Sequence, residues 1–323
     1  MEQALINLDS LNLSEEELFS FVDNSIATTE KITAPRYSYW KSVSRVFFKR
    51  KINVVLLALL LVVVLFAFII PIFSPFDMWE NLTEAGAKNL TPFQAISKWG
   101  FHIKWILGTG QQGESTFNAI WYGSRISISL SLVCAAINLV IGIILGAIWG
   151  YSKHFDLFMT EVYNIVGNVP YILVISVLVV ITGAGFWPFV FALTVTGWLG
   201  IAYFIRTQVI IIRDREYNLA SRCLGTNILR VTIKNILPFL TSVIVTLAAA
   251  EIPSYISMEV FLSYIGMGMS DTTLGKLIEN SQKVMAINAW EFWSPVLLSS
   301  IVTIVLYVLG QNLGDASDPR THM

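Results

Sequence analysis

The residues that could do chemistry in this 323-residue chain are few and far apart. Its histidines, His102, His154 and His322, fall in separate regions; Cys134 lies in an apolar run and Cys223 in a polar one. Neither spacing suits a metal centre, a disulfide or a nucleophile–base pair. Glu251 is the one acid well inside a hydrophobic stretch, with Pro253 two residues on and Glu259 at the stretch's outer end. A carboxylate at membrane depth is costly and marks a pathway candidate; the other reading is a group bonded to a neighbouring helix for structural reasons. Asn138 shares a helical face with Gly142 and is assigned to protein or a water-filled path. No span holds paired carboxylates, so no catalytic residue and no metal ligand is nominated. GTGQQGES (108–115) has the outline of a phosphate loop, but Glu114 stands where lysine is required. A carboxylate there repels phosphate, which rules out nucleotide binding.

The remaining polar concentration lies between Arg206 and Pro238, a stretch holding Arg206, Arg213, Arg215, Arg222, Arg230 and Lys234. It begins amphipathic, breaks at Gly225 and resumes as a helical run closing on Ile236, Leu237 and Pro238. In EYNLASRCLG (216–225), Tyr217, Ala220 and Leu224 fall on one helical face with Ser221 beside them, and the small pair permits close approach to a partner. Gly225 supplies the reversal, because a left-handed residue costs other side chains roughly 1–2 kcal/mol. Pro238 fits the first turn of the following span.

These residues need a frame. The chain is 55% hydrophobic and 13% charged, with a mean hydropathy of +0.65. A soluble domain carries about 25% charged residues, so lipid is the expected solvent. The net charge of −1 gives no field for nucleic acid. Six spans of transmembrane length are expected: Ile52–Phe73, Ile126–Trp149, Asn164–Ile181, Phe186–Ile205, Phe239–Met258 and Phe292–Leu313. With the N-terminus inside, fifteen of the 21 lysines and arginines fall on the cytoplasmic side and six outside, which places both termini in the cytoplasm. The first span is long, internal and lacks a small-x-small site, so it is an anchor and not a cleaved signal.

The expected organisation is a cytoplasmic tail and interfacial helix over 1–51, a first span over 52–73 and an outer loop over 74–125. A five-span core follows over 126–313, carrying the cytoplasmic loop 206–238, and then a short tail over 314–323. Residues 1–34 are acidic, with a capping box at Ser14 and Glu17, and read either as a docking helix or as a solvated tail. Trp40, Val43 and Phe47 recur on one face among Lys41, Arg45 and Lys49, which suits a helix lying at the membrane surface. Gly142, Gly146 and Gly150 form a small-residue stripe for close helix packing. Asn81 and Asn89 open sequons by pattern only.

The 206–238 segment resembles the coupling loop of ABC-importer permeases, matching at Ala220, Ser221, Arg222, Leu224, Gly225 and Ile236-Leu237-Pro238, with Leu219 where a glutamate is usual and Ser221 where the second alanine is usual. Three further stretches resemble the second (C-type) permease subunit of dipeptide, oligopeptide and nickel importers, most like an oligopeptide permease. LGTGQQGESTFNAIWYGSRISISL matches at Gly108, Thr109, Gly113, Tyr122, Gly123, Arg125 and Ser127, with Glu114-Ser115 in place of the usual Arg-Asp. EVFLSYIGMG begins at Glu259, with Val260 where serine is usual, and the terminal run spans Asn312, Asp315, Asp318 and Pro319. The resemblance implies an all-α, polytopic type I ABC-importer permease in a bacterial cell membrane. It implies no cofactor in this chain, with ATP and Mg held by two cytoplasmic ATPase subunits. A second homologous permease and an external peptide-binding protein complete the implied assembly. In that setting the Glu216–Gly225 helix would dock on an ATPase. Glu251, Glu259 and Asn138 are the pathway candidates. A nickel or other small-solute permease, and an ion-coupled secondary transporter, are the alternatives.

Overall fold

The computed structural model describes residues 38–81, 84 and 86–318. Apart from Tyr39, everything below lies in the unit Trp40–Met323. The acidic segment with Ser14 and Glu17, the rest of the first sequon, Pro319, Arg320 and His322 fall outside the described residues.

Helix α1 (Tyr39–Lys49) meets α2 (Lys51–Phe73) at Arg50. The α1 face expected at the membrane surface is divided: Val43 and Phe47 are buried within the protein, whereas Trp40 is exposed. α2 is apolar all round and buries little besides Asn53, Val63 and Ala67, as a span bathed in lipid should. Val63 packs with Ile256 and Val302. Arg50 binds Asn312 (2.7 Å) and Asp315 (3.3 Å), and Asn53 takes the Asn312 amide at 2.7 Å. The terminal motif thus ties the start of the first span to the end of the last.

The loop after α2 carries the short helix α3 (Pro92–Trp99), opened by a Thr91–Gln94 capping box. Helix α4 runs from Thr116 to Tyr151. At 1.5 Å per residue it is about 54 Å long, well beyond the ~30 Å hydrocarbon core. It therefore starts before the expected Ile126, because hydropathy cannot see helix that projects past the lipid. Ser115 caps it, accepting from the Asn118 N–H at 3.2 Å.

The expected third span is broken. Helix α5 (Lys153–Gly167) and α6 (Tyr171–Thr182) meet at 78°. Pro170 stands at the break; it lacks an N–H and disfavours helix for Val169. Gly183 (φ 94°) ends α6, and α7 (Phe186–Thr194) returns after Gly185. Helix α8 (Trp198–Arg213) continues past the expected Ile205, so Arg206–Arg213 is helix rather than loop.

Helix α9 (Glu216–Cys223) and the single turn α10 (Ile228–Val231) lead into a π turn over Thr232–Ile236, a 3-10 turn over Leu237–Leu240, and α11 (Thr241–Tyr264). The Leu237 N–H reaches back five residues to Thr232. Proline has no N–H to give its own i−4 carbonyl, and the register shift straddles Pro238. Pro238 therefore sits inside a continuous helical path beginning at Thr232, not at the mouth of the span. Helices α12 (Leu274–Ser281) and α13 (Ala289–Ser317) complete the bundle.

Among the described residues, five helical stretches are long and apolar enough to cross a bilayer, and the α5–α6 pair, bent by 78°, reaches that length and hydropathy only when its two helices are taken together. The glycine stripe seats α4 on α8. A Cβ at Gly146 would lie 2.5 Å from the Ala202 carbonyl oxygen, at Gly142 2.6 Å from Ile201, and at Gly150 2.7 Å from Val209. The main core joins Leu130 and Cys134 of α4, Ile175 of α6, Phe189 and Leu193 of α7, and Leu262 of α11.

Candidate functional site

At one end of the bundle, α9 is held as an elbow between α8 and the π turn that precedes α11. Asn218 is fully buried; its amide donates to the Ile212 carbonyl (2.9 Å) and its Oδ1 accepts from Asn235 (3.2 Å). An Asn235–Ser221 contact at 3.4 Å adds a second stitch, so Ser221 is half-buried and turned towards the π turn. Ala220, Glu216, Tyr217 and Leu219 remain exposed, and Leu224 is 87% exposed. The small pair therefore splits: Ala220 lies on the free surface and Ser221 on the seam. The Tyr217 ring meets Phe239 at 5.7 Å, and Arg222 stands over Tyr151 at 5.8 Å.

Gly225 (φ 79°) closes α9 with two bonds, Thr226 N–H to Ser221 O (3.1 Å) and Gly225 N–H to Arg222 O (2.9 Å). That pairing is a Schellman motif. No atom lies within 4 Å of where a Cβ would sit on Gly225, so the requirement for glycine is purely conformational. Behind the elbow, Arg213 donates to the Gly150 carbonyl at 2.8 Å, anchoring the end of α8 to the end of α4. Arg206 pairs with Asp156 and lies over Trp149 at 5.4 Å.

The acids within α11 fare differently from each other. Glu251 borders a pocket of about 290 Å³ with Tyr171, Thr196, Gly197, Gly200, Ser254 and Tyr255. A wider groove of about 640 Å³ shares Ser254 and Met258 with it and adds Ser257, Thr303 and Tyr307. Asn138 is fully buried and donates to the Tyr255 hydroxyl from behind; it supports a wall of the pocket rather than facing it. Glu259 is fully buried, accepting from Ser127 (3.0 Å), Ser263 (2.9 Å) and Thr273. A Cβ on Gly275 would lie 2.7 Å from its Oε1. Glu259 and Ser127, from two separate motifs, thus meet in a closed cradle away from the Glu251 pocket.

Sequence reasoning missed Asn218, Asn235, Tyr171 and Tyr255. Asn218 and Asn235 stand among charged neighbours with nothing to distinguish them from surface amides. The tyrosines' hydroxyls carry no periodic signal. Among the described residues no group of three or more His, Cys, Asp or Glu could hold a metal.

Residues 138–323 match the family model described as "Binding-protein-dependent transport system inner membrane component". Residues 38–92 match the "N-terminal TM domain of oligopeptide transport permease C". The chain is 45% identical to the oligopeptide transport system permease protein AmiD of Streptococcus pneumoniae, over 95% of this chain and 98% of that one. It is 31% identical to the dipeptide transport system permease protein DppC of Bacillus subtilis, over 96% and 94% of the two chains. It is 30% identical to the oligopeptide transport system permease protein OppC of the same organism, over 90% and 93%. Among solved structures, a chain of the MetNI methionine ABC transporter aligns with a TM-score of 0.48 and 20% identity, over 62% of this chain and 96% of that one.

Proposed function

Because the chain belongs to the family of binding-protein-dependent transport system inner membrane components, we propose that it forms half of the membrane pathway of an ATP-driven oligopeptide importer. The observation that carries the peptide reading is the 45% identity to an oligopeptide permease across nearly the whole of both chains. The groove on α6, α11 and α13 supports it: Ser254, Ser257 and Thr303 line a largely apolar cleft beside the spanning helices α11 and α13. A second permease of the same fold would close that cleft into a path. The chain then performs no covalent chemistry, and two ATPase subunits hydrolyse ATP on the cytoplasmic side. A binding protein delivers the peptide from outside.

α9 is the element for the ATPase contact. It presents Tyr217, Ala220 and Leu224 outward with Arg215 and Arg222 alongside, and it is stitched by Asn218 to both flanking helices. A push on α9 therefore reaches α8 and α11 together, which is what moving a two-state path requires.

The test is a pair of substitutions that leave every span untouched. Ala220→Trp should block docking sterically, and Gly225→Val should misaim the helix, since a β-branched residue tolerates φ 79° poorly. Both variants should reach the membrane and pair with the partner permease, yet lose peptide uptake and the stimulation of ATP hydrolysis by loaded binding protein. Cysteines at Thr226 and around the ATPase cleft should cross-link in the unmodified background. Full uptake by Ala220→Trp would remove the coupling role from α9.

A further inference from the structure

At the opposite end of α4 from α9, the loop 110–115 closes over a second cavity of about 290 Å³. It lies where that loop, the first turns of α4, α12 and the start of α13 converge, and the peptide pathway does not include it. Two carboxylates from distant parts of the sequence line it: Glu114, 9% exposed, and Glu291, 8% exposed. Glu114 Oε2 accepts from the Gln112 N–H at 2.8 Å, and Glu291 lies against the amides of Gln111. Glu291 Oε2 has no partner. The Thr116 Oγ1, in a residue 4% exposed, and the Gln112 Oε1 are likewise buried without one. All three belong to residues lining the same cavity.

The cavity's remaining charged wall does not balance the acids. Lys276 lines it, but its ammonium is engaged by Glu279 at 2.7 Å. The two carboxylates therefore share this cavity with no cation of their own. Burial holds Glu114 above the usual carboxylate range, as expected of an acid without a counter-ion. The backbone is shaped to bring it there: a Cβ on Gly110 would lie 2.2 Å from Glu114 Oε1, so only glycine lets the carboxylate fold back over its own turn.

We infer that this cavity binds a Ca2+ ion through Glu114, Glu291, the Gln112 side-chain carbonyl and the Thr116 hydroxyl, stapling the loop before α4 to the start of α13. The donors are all hard oxygens, without the sulfur or imidazole that Zn2+ or Cu2+ favour. Carboxylates, an amide carbonyl and a hydroxyl drawn from separate elements form an irregular set. Ca2+ accepts such sets with six to eight oxygens, whereas Mg2+ demands near-octahedral geometry. The volume leaves room for waters to complete the shell, each taking about 30 Å³.

The inference is independent of the importer reading and is tested by binding. The full-length chain, purified in detergent with its bound subunits, is titrated with Ca2+ in equilibrium dialysis, with Mg2+ as competitor. Wild type should hold one saturable ion per chain, not displaced by an equal concentration of Mg2+. Glu114→Gln and Glu291→Gln should each weaken binding by at least about tenfold, and Thr116→Val by less, as ligand charge sets affinity in such sites. Absence of saturable binding by wild type up to about 1 mM Ca2+, the weak end for extracellular sites, overturns the inference. So does undiminished binding in both glutamine variants, or two carboxyls that share a proton and ignore Ca2+. If the glutamine variants do not fold, the wild-type titration and Thr116→Val decide the matter.

Discussion

Glu251 and Glu259 stand on the same helix, yet the fold gives one a pocket and the other a cage. Three hydroxyls saturate Glu259, and nothing mobile reaches it. Glu251 shares its pocket with Tyr171, Ser254 and Tyr255, where a passing amide or ammonium could meet it. Glu251→Gln should therefore retain much of peptide uptake by keeping shape and hydrogen bonding. Glu251→Leu should lower it by about tenfold while the complex still assembles, in keeping with the functional weight of intramembrane acids. Glu259→Leu should instead reduce the yield of folded protein, since each orphaned buried hydroxyl costs about 1–3 kcal/mol. Uptake assays beside size-exclusion profiles separate the two outcomes; normal uptake by both Glu251 variants would make that residue a dispensable packing group.

At the scale of elements, the seam between α4 and α8 is set by absent side chains. Lipid gives little hydrophobic drive to helix association, so close backbone approach must supply it. A Cβ at Gly146 would lie 2.5 Å from the Ala202 carbonyl oxygen and 2.8 Å from Ile205 Cβ. Neither atom can swing aside as the tip of a flexible chain would. Gly146→Leu should force α8 off α4 and carry with it Arg213, whose bond to the Gly150 carbonyl spans the same seam. The expected result is loss of monodisperse protein, whereas Gly200→Ala on the same helix, with nothing within 4 Å of the added Cβ, should stay monodisperse. A monodisperse, active Gly146→Leu protein would show that the seam tolerates separation.

For the whole molecule, the bundle has two chemically distinct ends. One carries α9 with Arg206, Arg213, Arg215 and Arg222; the other carries α3, the Glu114 loop and α12. From the bias of lysine and arginine we propose that the α9 end faces the cytoplasm. A cysteine at Gln112 should then react with an impermeant thiol reagent in intact cells, and one at Thr226 should be shielded. The background needs Cys223→Ser, because Cys223 is exposed while Cys134 is buried. Labelling at Thr226 from outside would invert the assignment and displace α9 from any cytoplasmic partner.

The membrane environment, the existence of most spans, the glycine seam and the α9–Gly225 reversal were legible in the chain itself. Each rests on composition, periodicity or a local backbone demand, which neighbouring residues express without help from the rest of the fold. Tertiary structure alone decided what depends on residues far apart in sequence. It turned Ser221 inward while leaving Ala220 free, because Asn235 approaches only once the Thr232–Ile236 turn has folded back on α9. It enclosed Glu259 with Ser127 and opened a pocket beside Glu251, although the two acids are alike in type and only eight residues apart. It also brought Glu114 and Glu291 to one cavity. Local pattern fixes which way a helix can lie; whether a buried charge is caged or open depends on which distant hydroxyls the packing delivers to it.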